Sequence, residues 1–113
     1  MWPDVFVFKD KDFKGEQLRT PFCIQSFAKH WNDTISSVII IRGTWEFYEN
    51  SNFNKDKVGA VVTVGPGYYS FVEDPSFGGG MKNDTISSMG PVDAEPELTW
   101  TPCIGVPEHD VDV

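Results

Sequence analysis

The sequence predicts a small all-β domain. Aromatic residues make up 14% of the chain, with nine Phe, four Trp and three Tyr, and aromatic and β-branched side chains suit the pleated surface of a sheet. Short runs of such residues alternate with clusters of Gly, Pro, Asn and Asp, which favour turns. Helical periodicity never exceeds about two turns, and the best short helix candidate is residues 25–31. Since 113 residues suffice for one domain with a modest core, we expect a sandwich or a barrel.

Each predicted strand follows from a run of β-branched or aromatic residues. The first run is Val5-Phe6-Val7-Phe8, and the most strand-like stretch is 34–42, whose Val38-Ile39-Ile40-Ile41 run is expected to be buried. Gly43 ends that stretch, and Gly65-Pro66-Gly67 ends a later one. The remaining predicted elements are a polar turn at 9–15, strands at 44–48, 60–64 and 68–72, and a flexible loop at 75–80.

The hexapeptide Asn-Asp-Thr-Ile-Ser-Ser occurs twice, at residues 32–37 and 83–88. A repeat within one chain indicates that one structural unit has been used twice. Each copy places an amide, a carboxylate and hydroxyls in a row before apolar residues, so it is typical of an oxygen-rich loop that leads into a strand. Hard cations such as calcium bind about six to eight oxygens of these kinds. The repeat therefore predicts a module with two calcium sites.

The two halves also share an aromatic pattern ahead of each hexapeptide. Phe8-x-x-x-x-Phe13-x-Gly15 in the first half corresponds to Tyr48-x-x-x-x-Phe53-x-Lys55 in the second. The order of the motifs is the same in both halves, while the loop lengths differ. That arrangement is expected of a duplicated Greek key.

The charge of the chain restricts its partners. Seventeen acidic residues against nine basic ones give a formal net charge of −8. Because nucleic-acid affinity depends mainly on neutralising phosphates with Lys and Arg, we predict no nucleic-acid binding, and no direct binding to anionic membranes. No apolar run is long enough to span a bilayer, and the start of the chain has no signal-peptide pattern. We expect a soluble protein, and its compartment stays open.

The two cysteines, Cys23 and Cys103, have no zinc-site spacing. They could form one disulfide or remain two buried free thiols. Their spacing from His30 and His109 gives no support for a thiol–imidazole pair, and Gly78-Gly79-Gly80 lacks the Lys-Ser/Thr of a phosphate loop. We therefore predict no catalytic residue and no enzyme activity.

The combination of aromatic hairpin and Asn/Asp-Asn/Asp-x-x-Ser/Thr-Ser loop resembles the calcium-binding βγ-crystallins of the microbial or non-lens single-domain type. The resemblance covers residues 4–89 and includes Gly65-Pro66-Gly67-Tyr68-Tyr69-Ser70, which is similar to the tyrosine corner of the family, with Tyr69 as the corner residue. It implies an all-β, βγ-crystallin-like sandwich of two Greek-key motifs built from wedge-packed four-stranded sheets. The implied boundaries are a domain at 1–89, with Greek key 1 at about 4–42 and Greek key 2 at about 43–89, and a C-terminal extension at 90–113.

The resemblance further implies that two Ca²⁺ ions are shared between the hexapeptide loops. Asp33 with Ser87 would form one site, and Asp84 with Ser36 the other. Backbone carbonyls near the aromatic hairpins would complete the protein ligands, with water filling the remaining positions. The implied metal residues are Lys9, Asn32, Asp33, Ser36, Glu49, Asn83, Asp84 and Ser87.

The chain departs from the family pattern at Lys55 and in its C-terminal extension. Lys55 replaces a hairpin glycine, where a side chain costs on the order of 1 kcal/mol or more, so the hairpin is either rebuilt around Asn54 and Asp56 or less stable. Residues 90–113 carry six acids, four prolines and no Lys or Arg. They are either a disordered solvating tail or a partly docked strap; Trp100 and Cys103 favour the strap. This extension is also a candidate surface for self-association.

The sequence also contains partial matches to two other motifs, and it allows one other function. The run beginning at Asp10 has Pro21 where the bidentate Glu of an EF-hand is needed, and a run beginning at Asn52 fails in the same way. Asn32 and Asn83 also begin N-glycosylation sequons, but a glycan there would crowd an ion site. The alternative function is a protein–protein interaction module, such as an adhesion, inhibitor or toxin component, in which calcium is incidental.

Overall fold

The structure is a computed structural model that describes residues 3–27, 29–54 and 57–92. Its strands are β1 (Asp4–Asp10), β2 (Lys14–Thr20), β3 (Ser37–Arg42), β4 (Trp45–Tyr48), β5 (Val61–Val64), β6 (Gly67–Tyr69) and β7 (Ser88–Pro91). Short helical turns lie at Lys11–Phe13, Ser51–Asn54 and Pro75–Phe77. The predicted all-β class is confirmed. The helix candidate at 25–31 is wrong, because the described residues of that segment form bends and turns.

Two antiparallel sheets form the domain, and the halves of the chain are interlocked between them. The first sheet has the order β2-β1-β3-β6 and the second β5-β4-β7. Strand β6 comes from the second half but pairs with β3 of the first, with Val38 opposite Tyr69. In return, Ile24 of the first half bridges Met89 in β7, with two N–H···O bonds of 2.7 and 3.0 Å. Each half therefore supplies backbone pairing to the sheet of the other.

The resemblance implies two four-stranded sheets, but only the first sheet has four strands. The second sheet has three strands in the described part of the chain, and its fourth position is reduced to the single bridge at Ile24. Pro21 lacks an N–H, and the N–H of Phe22 donates to Oγ1 of Thr20 at 2.9 Å instead of joining a ladder. Because neither Pro21 nor Phe22 offers an N–H to a ladder, the pairing here does not extend beyond the single bridge at Ile24.

The strand predicted at 68–72 ends early, at Tyr69. The hydroxyl of Tyr69 donates to the carbonyl of Gly65 at 2.7 Å, which closes the corner. Beyond it, the N–H of Val72 donates to the carbonyl of Ser36 at 2.8 Å. This contact leads the chain out of the sheet and towards the first hexapeptide, so Tyr69 makes the contact expected of the corner tyrosine.

The core lies between the two sheets and is built from alternate residues of their strands. Val5 and Val7 of β1 point inward, as do Trp45 and Phe47 of β4, and all four are fully buried. Phe77 lies in the turn between β6 and β7 and packs against Phe47, with 5.1 Å between ring centroids. Burying each side chain of this size stabilises the fold by about 1.5–3 kcal/mol relative to exposure. The two packed sheets therefore form the base that carries the loops at the end of the domain.

Asp4 is a buried carboxylate that joins three strands of the first sheet. Arg19 in β2 donates to its two oxygens from Nε and Nη2 at 2.9 and 2.5 Å, and Arg42 in β3 donates from Nη2 at 3.4 Å. The hydrogen bonds from Arg19, together with the two positive charges, hold the pKa of Asp4 below its usual range, because they outweigh the cost of burial.

Replacing Asp4 with asparagine is expected to lower Tm by roughly 5 °C at neutral pH. An ion pair with arginines that are about half exposed contributes about 1 kcal/mol. The pKa of Asp4 is lower in the folded protein than its unfolded value of 3.8. The ionised carboxylate therefore stabilises the fold above pH 3.8, and this stabilisation is lost as the pH falls through the folded-state pKa. The difference in Tm between wild type and D4N should therefore shrink below about pH 4. Thermal melts followed by circular dichroism check this, and an equal difference at acidic and neutral pH would contradict it.

Candidate metal centre

The two hexapeptide loops lie side by side at one end of the domain and are linked reciprocally. The N–H of Asp33 in the first loop donates to the carbonyl of Ile86 in the second, at 3.2 Å. The N–H of Asp84 in the second donates to the carbonyl of Ile35 in the first, at 3.4 Å. Both isoleucines are fully buried. Each loop is therefore anchored in the core and bonded to its counterpart in the same way.

The backbone of each loop turns sharply at its aspartate. Asp33 has φ 58° and Asp84 has φ 60°, a left-handed conformation that Asp tolerates better than most residues. The following threonine closes each turn: Oγ1 of Thr34 and Oγ1 of Thr85 each donate to the carbonyl three residues earlier, both at 2.7 Å. The turn holds the two aspartates at the surface, where their side chains are exposed.

The structure brings together the Asp and Ser residues that the resemblance paired. Oγ of Ser36 donates to Oδ1 of Asp84 at 3.2 Å, and Oγ of Ser87 donates to Oδ1 of Asp33 at 3.0 Å. Both serines are buried, with 4% and 6% exposure. Each pair joins one loop to the other, so each loop contributes a carboxylate to one pair and a hydroxyl to the other.

In the first half, a backbone contact places Lys9 beside one of these pairs. The N–H of Ser36 donates to the carbonyl of Phe8 at 2.9 Å, and Lys9 follows directly in a bulge that the β1–β2 register skips. Its ammonium is occupied elsewhere, 3.0 Å from Glu16 and 5.1 Å from the ring centroid of Trp31. Hydrogen bonds from His30 and then Lys9 hold the pKa of Glu16 below its usual range. Lys9 is thus the residue directly after the carbonyl that contacts the first loop.

The second half repeats this contact at Glu49. The N–H of Ser87 donates to the carbonyl of Tyr48 at 2.9 Å, and Glu49 is the next residue. The Glu49 side chain accepts from the N–H of Ala60 at 2.8 Å and so holds the base of the hairpin. Burial, followed by a hydrogen bond to Glu46, raises the pKa of Tyr48. Glu49 therefore occupies the same position in its half as Lys9 in the first.

Asn32 and Asn83, the first residues of the two hexapeptides, each contain a buried acceptor. Oδ1 of each side chain is buried and has no hydrogen-bond partner among the described residues. An unpaired buried polar oxygen costs about 1–3 kcal/mol, and native structures usually satisfy such atoms. The two halves of the chain therefore share this unpaired amide oxygen, as they share the Asp–Ser pairs.

The last serine of each hexapeptide has a supporting role that the sequence analysis missed. Oγ of Ser37 donates to the carbonyl of Asp10 at 2.6 Å and accepts from the N–H of Phe13 at 3.0 Å. Phe13 has φ 63°, an unusual conformation for an aromatic residue. The hydroxyl thus holds the strained first hairpin against the loop; its adjacency to Ser36 in both copies is the sequence signal that could have indicated this role.

Ser88 holds the second hairpin in the same way, with contacts of 2.6 Å to the carbonyl of Asn50 and 3.1 Å from the N–H of Phe53. Lys55 and Asp56 lie outside the described residues. Asn54 is buried, has φ 53°, and its Oδ1 accepts from the N–H of Asn50 at 2.8 Å. The second hairpin is therefore organised in part around Asn54, as one of the two sequence alternatives expected.

The candidate sites are not clusters of acidic side chains, and most of their oxygens are uncharged. Within 3–27, 29–54 and 57–92, no three His, Cys, Asp or Glu side chains come together as a metal cluster. Each Asp–Ser pair instead supplies one carboxylate and one hydroxyl, and each loop adds the buried amide oxygen of its asparagine. This donor set is hard and uncharged apart from one carboxylate, which suits calcium better than softer metals.

The two interlocked halves and their reciprocal loops agree with a comparison to known families. The family model described as Beta/Gamma crystallin matches residues 4–92. The chain belongs to the beta/gamma crystallin family. A beta/gamma-crystallin from Ciona intestinalis is 29% identical to it over 86 residues, which cover 75% of this chain and 93% of that protein.

Solved structures show the same βγ-crystallin fold. A βγ-crystallin from an archaeon is 30% identical, with a TM-score of 0.69, and the match covers 81% of this chain and 100% of that one. A transition-metal-ion-binding βγ-crystallin from Methanosaeta thermophila is 21% identical, with a TM-score of 0.60, and the match covers 78% and 99%. Such βγ-crystallins are generally non-enzymatic structural domains, and this chain fits that class.

The cysteines and histidines of the chain have other partners or lie outside the described ranges. Cys23 is disulfide-bonded, so of the two alternatives for the cysteines, the bonded form is the one observed at Cys23. Nε2 of His30 contacts Glu16 at 2.8 Å. Cys103 and His109 are outside the described residues. In the part of this βγ-crystallin that the structure describes, no helix is long and apolar enough to cross a membrane.

Proposed function

We propose that this βγ-crystallin is a non-enzymatic calcium-binding protein that holds two Ca²⁺ between its hexapeptide loops and is stabilised by them. The observation that carries the proposal is the reciprocal pairing of Ser36 with Asp84 at 3.2 Å and of Ser87 with Asp33 at 3.0 Å. Each pair joins loops that belong to different halves of the chain. A cation held at either pair would therefore connect the two Greek keys.

A second, independent observation supports an ion at these loops. The Oδ1 atoms of Asn32 and Asn83 are buried without a hydrogen-bond partner, one beside each aspartate. A buried acceptor of this kind is satisfied by a cation or by the N–H or O–H of another group, including a water. Since both loops show the same unpaired oxygen, the feature belongs to the repeated motif and not to a local defect.

Six residues would provide carboxylate, hydroxyl and backbone oxygens to the two ions, beside the amide oxygens of Asn32 and Asn83. Asp33, Ser87 and the backbone of Glu49 would form one site, and Asp84, Ser36 and the backbone of Lys9 the other. Bound calcium would supply positive charge next to carboxylates of a chain whose formal net charge is −8, which lowers self-repulsion in the folded state. Water would complete the coordination number of about six to eight.

The choice of calcium over a transition metal follows from the donor atoms. The related protein from Methanosaeta thermophila binds transition-metal ions, which prefer imidazole and thiolate ligands. Here His30 contacts Glu16 and Cys23 is disulfide-bonded, while the candidate sites present oxygens. We therefore expect calcium to bind more tightly than Zn²⁺ under the same conditions.

Isothermal titration calorimetry of the full chain, freed of metal with a chelator, tests the proposal. Calcium is expected to bind with a stoichiometry of two, and prior addition of equimolar Zn²⁺ should leave that stoichiometry unchanged. No calcium uptake, combined with an unchanged Tm in millimolar calcium, would reject the proposal and favour the interaction module. Two bound Zn²⁺ that calcium fails to displace would reject the choice of metal alone.

A further inference from the structure

The chain that leaves β6 contacts both hexapeptide loops next to one of the two Asp–Ser pairs. The N–H of Val72 donates to the carbonyl of Ser36 at 2.8 Å, and Oε2 of Glu73 accepts from the N–H of Asn83 at 2.8 Å. Ser36 provides the hydroxyl of that pair, and Asn83 directly precedes Asp84, which provides its carboxylate. Two consecutive residues are therefore bonded to both sides of the Ser36–Asp84 pair.

The local backbone fixes the position of Glu73. The N–H of Asp74 donates to the carbonyl of Phe71 at 3.0 Å, which closes a turn that contains Glu73. Val72 and Phe77, on either side of this turn, are fully buried. The Glu73 side chain is exposed, and in the part of the chain that the structure describes it forms no ion pair with Lys, Arg or His. Its negative charge is therefore held on the second loop without a direct ionic partner there.

The Asp33–Ser87 pair has the same backbone contact but no such carboxylate. The N–H of Phe27 donates to the carbonyl of Ser87 at 3.0 Å, as the N–H of Val72 does at the other pair. The sequence between β2 and the first hexapeptide, residues 21–31, contains no Asp or Glu. The two pairs are therefore matched in their backbone contacts and differ by the carboxylate of Glu73.

Three other charged side chains near the two pairs are directed away from the loops or exposed to solvent. The carboxylate of Glu49 accepts from a backbone N–H at the base of the second hairpin at 2.8 Å. The ammonium of Lys9 lies 3.0 Å from Glu16, which offsets its charge. Lys82 is exposed and forms no ion pair within the described residues. Of these groups, only the carboxylate of Glu73 is hydrogen-bonded to a hexapeptide loop.

We propose that Glu73 tightens the calcium site at the Ser36–Asp84 pair, so that this site fills before the other. This role rests on the calcium-binding function proposed above and gives the two ions an order of binding. A carboxylate held one residue from Asp84 adds negative charge beside a divalent cation, and such charge increases calcium affinity. Its charge-assisted hydrogen bond also steadies the turn that carries Asp84. Wild type should therefore bind one Ca²⁺ roughly fivefold more tightly than the other.

Single-site variants of the full chain allow each affinity to be measured separately. D33A/S87A keeps only the Ser36–Asp84 pair, and D84A/S36A keeps only the other. Adding E73Q removes the charge but leaves an amide oxygen that can accept the same N–H. This change is expected to raise the Kd for calcium roughly fivefold in D33A/S87A and to leave it within about twofold in D84A/S36A. Isothermal titration calorimetry at low ionic strength measures both values, because salt screens exposed charges.

Asp74→Asn is the matched control, because it removes the same charge from the next residue, an exposed acid with no side-chain cap bond. It should change neither Kd by more than about twofold. Equal weakening by E73Q and D74N would overturn the proposal, since net charge alone would then explain the effect. Calcium binding with an unchanged Kd in D33A/S87A/E73Q would reject the role of Glu73 alone. No calcium binding in wild type or in either single-site variant would reject the proposed calcium sites, and this inference with them.

Discussion

Replacing Asp33 and Asp84 together with alanine is expected to abolish the calcium-dependent rise in Tm. An ion that binds only the folded state adds about 2.7 kcal/mol at a hundredfold excess over Kd, so two ions would add about 5 kcal/mol. For a domain of this size, that corresponds to a rise of roughly 20 °C in wild type. The double variant lacks the carboxylate of both Asp–Ser pairs and should melt at the same temperature in calcium and in chelator.

Differential scanning calorimetry of each protein in calcium and in chelator measures this effect and separates it from backbone strain. Both positions have φ near 60°, where alanine is strained by on the order of 1 kcal/mol, so each variant is compared with its own chelated form. D33G/D84G removes the side chains without that strain and should lose the rise equally. Asp74→Asn, an exposed acid with no side-chain cap bond, should keep it. A rise of roughly 20 °C in D33A/D84A would show that the ions bind elsewhere.

Much of the fold could be predicted because its central strands carry strong local signals. The β-branched run at Val38 and the aromatic runs at Val5 and Phe47 all lie in strands with buried side chains. Ile41, which was also expected to be buried, is 39% exposed near the end of β3. In contrast, β2 was not predicted, because its residues Lys14–Thr20 are polar and mostly exposed at the edge of the sheet. Only Leu18 and Thr20 of this edge strand are turned inward, so the sequence shows too little alternation to predict a strand. The position of β2 is set by its pairing with β1.

Contacts between segments far apart in the sequence could not be predicted, for a different reason. The bridge between Ile24 and Met89 joins segments that are 65 positions apart (89 − 24), and local periodicity carries no information about such a pairing. The helix candidate at 25–31 failed because tertiary contacts took its backbone groups: the N–H of Phe27 donates to the carbonyl of Ser87 at 3.0 Å. A weak local propensity of this kind is readily overridden.

The candidate site shows the same division between local and distant information. The repeated hexapeptide located both loops from the sequence alone, and hydroxyl, amide and carboxylate groups identified their chemistry. The choice of which aspartate faces which serine came from the family resemblance, since spacing along the chain favours neither arrangement. The structure places Ser36 with Asp84 and Ser87 with Asp33, and the ligand roles of these residues stay a prediction.

The number of ions that a double variant binds should therefore depend on which Asp–Ser pair it breaks, and not on which loop carries the substitutions. D33A/S87A removes one residue from each loop but damages a single proposed site, so one Ca²⁺ should still bind. D33A/S36A removes two residues of the same loop but damages both sites, so both ions should be lost or greatly weakened. The two variants lose the same carboxylate and one hydroxyl each, which makes their composition and net charge identical.

Calcium titration by calorimetry distinguishes the arrangements by stoichiometry. The expected values are one ion for D33A/S87A and none for D33A/S36A at calcium concentrations that saturate the wild type. The mirror-image variants, D84A/S36A and D84A/S87A, should give one and none in the same order, because the loops are related by the same reciprocal contacts. If D33A/S36A instead keeps one ion and D33A/S87A keeps none, each loop holds its own ion and the shared arrangement is wrong. Equal stoichiometry in all four variants would mean that the serine hydroxyls support the loops without binding calcium.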